Sequence, residues 1–245
     1  MSTPFYVSPE QLIKDRADFA RKGIARGRSV VVLGAEAGIV LVAENPSTAL
    51  RKIAEIYDRI GFAAVGKYNE FEQLRQAGVR YADLRGYSYD RTDVSARGLT
   101  NAYAQTLAGV FTTESKPLEV ELVVAELGAQ QAADQLYRIS YDGSVADESD
   151  WVSIGGGTER IAQLLSAEWS PGLSLPQAVA LGRKALGASR EGTVEVDSLE
   201  VALLDRAAPG RRTFRRIGHA ELAQLLAPER GEPGPQDEQA GEQPE

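Results

Sequence analysis

Cysteine is absent from the 245 residues of this chain. That excludes disulfides, thiolate nucleophiles and cysteine-ligated metals, and it permits a reducing compartment. Histidine occurs once, at His219, and there is no HExxH helix or EF-hand loop, so neither metal nor cofactor is expected. Long apolar runs are missing as well: no segment approaches the roughly 20 apolar residues of a membrane span. The N-terminus, MSTPFYVSPEQLIKD, lacks the basic start and continuous apolar core of a secretory leader. A soluble, cytoplasmic protein is the expectation, with no membrane partner. An excess of positive charge is lacking too. Net charge is −8, and residues 228–245, with six acids and one arginine, contribute −5 of it, leaving −3 for residues 1–227. A body so near neutral has no broad attraction for DNA or RNA, and no nucleic-acid partner is expected.

What is present suits a globular fold: 43% hydrophobic and 25% charged residues, and enough length for one large core or two smaller ones. Ser8, Pro9 and Gln11 give a cap, a first helical position and a capping box. Leu12, Ile13, Ala17, Ala20 and Ile24 then recur at helical spacing, with Lys14, Asp18 and Lys22 four apart on the other side. The apolar stripe must cover a core or a neighbouring subunit. Ser29 to Leu33 and Gly38 to Ala43 read as strands around a turn, and Ile53 to Tyr57 and Ile60 to Val65 as two more. Asn69 with Glu72 predicts the start of a second helix carrying Phe71, Leu74 and Ala77 on one face. A third helix is expected over 95–113, its inner side including Leu99, Tyr103, Thr106 and Leu107.

Leu118 to Leu127 alternates as a half-buried strand. Asp142 and Gly143 mark a hairpin between Gln135 to Ser140 and Ser144 to Ala146. A short strand over Val152 to Ile154 ends in three glycines. Helices are predicted over 158–168 and 175–186, strands over 194–204 and 212–217, and a last helix over 221–226. This order does not alternate strand with helix as a dinucleotide-binding fold does. It fits two packed sheets with helices on both outer faces in a single domain over residues 8–227. Residues 228–245, rich in proline, glycine and acids, are expected to be disordered.

Few residues suggest chemistry. Asp83, Asp90 and Asp93 are better explained by turns and a helix boundary than as paired catalytic acids. Gly155 to Thr158 invites a phosphate-loop reading, but no lysine follows in the Walker arrangement, so a tight turn is preferred over a small-molecule site. Arg211, Arg212, Arg215 and Arg216 form a basic patch without interleaved aromatics, which predicts ion pairs. The strand pair at Ser29 to Ala43 followed by Lys52 also suggests an N-terminal nucleophile hydrolase, matured before Ser29 and using a lysine to lower the nucleophile's proton affinity. A helix ahead of Ser29, and Arg28 beside it, argue against that alternative.

The segments SPEQ, ARKGIAR, LVAENP, KIAEIYDRIGFAAVGKYNEF, RGYSYDR and YDGSVAD followed by GGGTE carry a specific likeness. Across Phe5 to Ala227 the chain resembles the α-subunit of the 20S proteasome, of the actinobacterial type. The resemblance implies an α+β fold, the four-layer αββα sandwich of the N-terminal nucleophile hydrolase and proteasome type. It implies a noncatalytic subunit that joins six further copies of itself in an outer ring stacked on proteasome β-subunits, where the threonine endopeptidase sites lie. It also implies an axial gate at residues 1–7 and its base: Ser2, Thr3, Pro4, Phe5, Tyr6, Val7, Ser8 and Pro9. Lys52 matches the family's pocket lysine, which receives the C-terminal carboxylate of a hexameric AAA+ proteasomal ATPase. Unfolded or tagged proteins are the implied substrates in transit. The Tyr-Asp-Arg string of many archaeal and eukaryotic gates falls elsewhere here, at Tyr57 to Arg59 and Tyr89 to Arg91, so the gate role is not transferred to it.

Overall fold

Helix α1 (Pro9–Ala25) starts where its cap predicts. The Ser8 hydroxyl accepts from the Gln11 amide at 3.2 Å, and Pro9 stands in the first turn. Only half of the capping box forms, because the Gln11 side chain donates forward to Asp15 at 2.6 Å. Asp18 pairs with Arg21 at 3.3 Å rather than with the predicted lysines. The apolar stripe divides. Ala17, Ala20 and Ile24 are buried, whereas Leu12 and Ile13 are 49% and 55% exposed. The computed structural model describes residues 8–190 and 192–227. The gate candidates Ser2, Thr3, Pro4, Phe5, Tyr6 and Val7 and the acidic tail 228–245 lie outside the described residues.

Ten strands build two antiparallel sheets. The first contains β1 (Val30–Ala35), β2 (Gly38–Glu44), β8 (Trp151–Ile154), β9 (Leu199–Asp205) and β10 (Phe214–Ile217), in the order β10-β9-β2-β1-β8. The second contains β3 (Ile53–Tyr57), β4 (Ile60–Gly66), β5 (Val120–Glu126), β6 (Gln135–Ile139) and β7 (Val145–Glu148), in that order. Register follows the turns: Val32 faces Leu41 and Val152, and Ala63 faces Val123. The runs VVVLGA and GIVLVAE are buried at every position, which is why they are continuously apolar rather than alternating.

Both faces of each sheet are covered. Val30, Val32, Ile39 and Leu41 meet Ala63, Val65, Val123 and Ala125 between the sheets. Phe62, Leu122 and Val124 turn outward against Phe71 and Leu74 of α2 (Tyr68–Ser88) and Leu99, Tyr103 and Leu107 of α3 (Ala96–Thr113). On the far side, Val31, Leu33, Val40 and Val42 pack under α4 (Thr158–Glu168), α5 (Leu175–Ala188) and α6 (His219–Leu225). The arrangement is the expected αββα sandwich, with two antiparallel sheets between helical layers.

Four local expectations are corrected. Asn69 is not the cap of α2. Lys67 is, because its carbonyl already accepts from the amides of Glu70 and Phe71, both at 3.1 Å. The inner face of α2 runs through Gly78 rather than Ala77, which is exposed, because a β-carbon at Gly78 would lie 1.8 Å from the Tyr103 hydroxyl. Thr106 likewise faces outward. The strand expected from Val194 begins only at Leu199, since Val196–Ser198 winds into a 3₁₀ turn. Helix α1 is fastened to α3 by Arg16, whose guanidinium donates to the carbonyls of Phe111 (2.7 Å), Thr112 (3.3 Å) and Glu114. These are carbonyls at the end of α3, left without helical partners.

Candidate functional site

The polar residues of interest gather where α1 passes into β1. Gly27 closes the helix, its amide donating to Ile24 at 2.8 Å, and the chain runs through Arg28 directly into the sheet. Ser29 is buried, and its hydroxyl donates to the Gly156 carbonyl. The three-glycine turn lies against this junction. Gly155 and Gly157 have φ of 102° and 69°, and a β-carbon on Gly156 would sit 2.6 Å from the Ala25 carbonyl. Two of the amides that a phosphate would need are already occupied. Gly155 donates to Glu121 at 3.1 Å and Gly156 to Gly27 at 3.4 Å. Burial raises the Glu121 carboxyl above its ordinary value, against the Gly155 amide and the Arg138 charge. The glycines therefore make a tight strand-to-helix turn.

Lys52 stands immediately before β3, and its ammonium donates to the Arg28 carbonyl at 2.5 Å. That carbonyl is the acyl half of the peptide bond to Ser29, so the fold brings Lys52 and Ser29 together as the sequence order suggested. Burial lowers the Lys52 ammonium to about 8. Glu44 acts against that change, Arg28 adds to it, and Glu200 opposes it. Glu44 ends β2 with its carboxylate buried, 2.7 Å from Arg190 and 3.5 Å from Arg28. Glu200, also buried, accepts from the Lys52 amide (2.9 Å), the Ile53 amide (3.2 Å), Asn45 Nδ2 (2.7 Å) and Arg216 Nη1 (2.8 Å). It ties the loop before β3 to β9 and β10.

Glu44, Arg190 and Glu200 were not singled out from the sequence. A signal was available: an acid within the apolar runs GIVLVAE and LEVALLD must find partners when buried. The other candidates serve structure. Arg212 pairs with Glu55 at 2.7 Å, Arg215 with Asp205 and Glu221 at 3.1 and 2.8 Å, and Arg216 with Glu200. His219 is exposed at the start of α6, 3.1 Å from Asp197. Asp90 and Asp93 form a capping box around the turn Arg91–Asp93. The two Tyr-Asp-Arg strings meet each other: Arg91 pairs with Asp58 and lies 4.7 Å from the centre of the Tyr57 ring. Among the described residues, no three metal-ligating side chains converge, and no helix is long and apolar enough to cross a membrane.

A family model described as "Proteasome subunit" matches residues 24–204. The chain is 66% identical to the proteasome subunit alpha of Xylanimonas cellulosilytica, across 91% of this chain and 95% of that protein. It is 62% identical to that of Sanguibacter keddieii, across 97% and 94%, and 63% identical to that of Kineococcus radiotolerans, across 93% and 99%. With the two-sheet sandwich and the helix ahead of its first strand, these likenesses show that the chain belongs to the proteasome α-subunit family.

Proposed function

We propose that this chain is a noncatalytic ring subunit of a cytoplasmic 20S core. Seven copies would form the outer ring, gate passage to the β-subunit chamber through residues 1–9, and dock a hexameric AAA+ ATPase through Lys52. The observation that carries the noncatalytic part is the seating of α1 ahead of β1: Ala17, Ala20 and Ile24 are buried in the core between the sheets, and Arg16 ties the helix to the end of α3. An N-terminal nucleophile at Ser29 needs a free amine, and cleavage there would release a helix whose inner face is part of the core. The Ser29 hydroxyl is buried and already engaged. The purified chain is expected to keep its full intact mass and to hydrolyse no peptide, and Ser29→Ala is expected to change neither result. A species beginning at Ser29, with activity lost in Ser29→Ala, would support the self-processed hydrolase instead.

The docking role draws support from the position of Lys52 beside Arg28, close to the charges of Glu44 and Glu200. A half-buried ammonium suits a terminal carboxylate, through a charge-assisted contact repeated around a ring. Lys52→Ala is expected to leave co-assembly with the β-subunit intact and to weaken ATPase binding by about tenfold. Unchanged affinity in fully assembled particles would rule out a major role. Because the ammonium titrates near 8, docking should hold at neutral pH and fall as pH rises through 8, by up to about tenfold per unit. The sign for stability is opposite. Its proton is lost in the folded state before the unfolded one, so the chain's own stability should rise above pH 8 towards the ordinary lysine value.

A further inference from the structure

We infer that the groove between α4, α5 and α6 receives this chain's own acidic segment, Pro228 to Pro235. The groove has a volume of about 540 Å³ and is lined by Leu164 of α4, by Ala180, Arg183 and Lys184 of α5, by Val194 beyond α5, and by Leu226 just past α6. Its walls are mostly apolar, and Leu164 and Leu226 are only half-buried. The described residues end at Ala227, next to Leu226, so the chain departs from the lip of the groove. The stretch from Pro228 to Pro235 reaches about 25 Å in an extended, proline-type backbone, ample for a cavity of that volume.

Charge selects this occupant. Residues 228–245 hold six acids and one arginine, whereas among the described residues the charged side chains lining the groove are Arg183 and Lys184. Lys184 is engaged by Glu168, at 2.5 and 2.8 Å. Arg183 donates Nε to the Val194 carbonyl at 2.7 Å and has no carboxylate partner among the described residues. A guanidinium carries five N–H donors in a planar fork, so Arg183 retains donors for a carboxylate. Two acids lie close by in sequence: Glu195 is exposed and does not line the groove, and Glu191 lies outside the described residues. The pairing is therefore assigned to Arg183 itself, with Glu229 or Glu232, and not to a net charge. Backbone stiffness adds to it. Pro228, Pro233 and Pro235 bring apolar rings and lose little freedom when immobilised. A segment of this composition builds no core of its own, yet it can be laid along a preformed apolar wall.

The test uses the absence of cysteine, which makes any introduced pair unique in the full chain. Gly231→Cys is combined either with Ala180→Cys, exposed in the groove, or with Ala223→Cys, exposed on α6 and nearer in sequence. Disulfide formation in a glutathione buffer is followed by mass spectrometry of the digested chain. With the segment seated, the Ala180→Cys pair is expected to close at least about tenfold faster than the Ala223→Cys pair, through its higher effective concentration. A segment that stays in solvent would close the Ala223→Cys pair at least as fast, because that loop is shorter, and this result would overturn the proposal. Adding Arg183→Gln is expected to slow the Ala180→Cys pair at least about threefold. Arg183 also holds the Val194 carbonyl, so Glu229→Gln with Glu232→Gln is measured beside it and should slow the pair equally without touching the groove. Unchanged rates in both would overturn the ion pair, and the choice of occupant with it. In mixtures of chains carrying Gly231→Cys alone and Ala180→Cys alone, little cross-linking is expected. Disulfides forming there as fast as within the doubly substituted chain would assign the groove to a second copy and overturn the proposal.

Discussion

Particles assembled from a chain lacking Ser2 to Val7 are expected to degrade long peptides and unfolded protein about tenfold faster than the parent, with little change for very short peptides. The magnitude follows from populations: a passage open about a tenth of the time gains at most tenfold when the obstruction is removed. Selectivity for long substrates is the informative part, since a small peptide crosses a partial opening and an unfolded chain does not. The cut falls before Ser8, so the cap on the Gln11 amide and the proline of the first turn survive. A change in uptake would then report on the removed residues and not on an unravelled α1. Equal rates for long substrates in intact particles would remove the gate assignment.

Glu200→Ala is expected to be the most damaging change near Lys52. The carboxylate is buried and has four donors, two of them backbone amides. Truncation strands the amides of Lys52 and Ile53 and leaves Arg216 without its anion. Arg216 is partly exposed and can turn to solvent, so the loss belongs at the lower end of the range for a broken buried pair, about 3 kcal/mol. For a domain of this size that is roughly 6–12 °C in melting temperature. Glu200→Gln should fall between parent and alanine, because one oxygen still accepts while the new amide group faces donors. A melting temperature for Glu200→Ala within about 1 °C of parent would mean that the loop before β3 is held by other contacts. Loss of the hub should also impair docking, since it fixes the backbone on which Lys52 stands.

Local signals were readable wherever the backbone itself decides. Ser8 and Pro9 start α1, and Asp142 with Gly143 turns the β6–β7 hairpin, as the sequence predicts. Asn69 misled because capping is a contest between neighbours, and Lys67 won it through its carbonyl rather than its side chain. The layer order was legible from the order of strands and helices along the chain, and the continuous apolar runs of β1 and β2, buried at every position, agree with it. The surroundings of Lys52 were not. Glu200 reaches it across 148 residues of sequence, and Arg190 and Glu44 meet Arg28 only because the sheet order sets β2 between β1 and β9. No spacing rule carries that information. The one available warning, a lone acid at the end of an apolar strand, states that a partner exists without naming it.

The Arg16 clamp gives α1 a mechanical character. Arg16 lies seven positions after Pro9, so about 10 Å of helix extends beyond the point where the guanidinium grips the end of α3. That length is a cantilever, with Arg16 as its fulcrum and Leu12 and Ile13 half exposed along it. A sideways load applied at Ser8 would bend the first two turns about Arg16 and pass its reaction into α3. Ala17, Ala20 and Ile24 are buried behind that fulcrum, so such a load would leave them seated and would not reach the junction at Arg28.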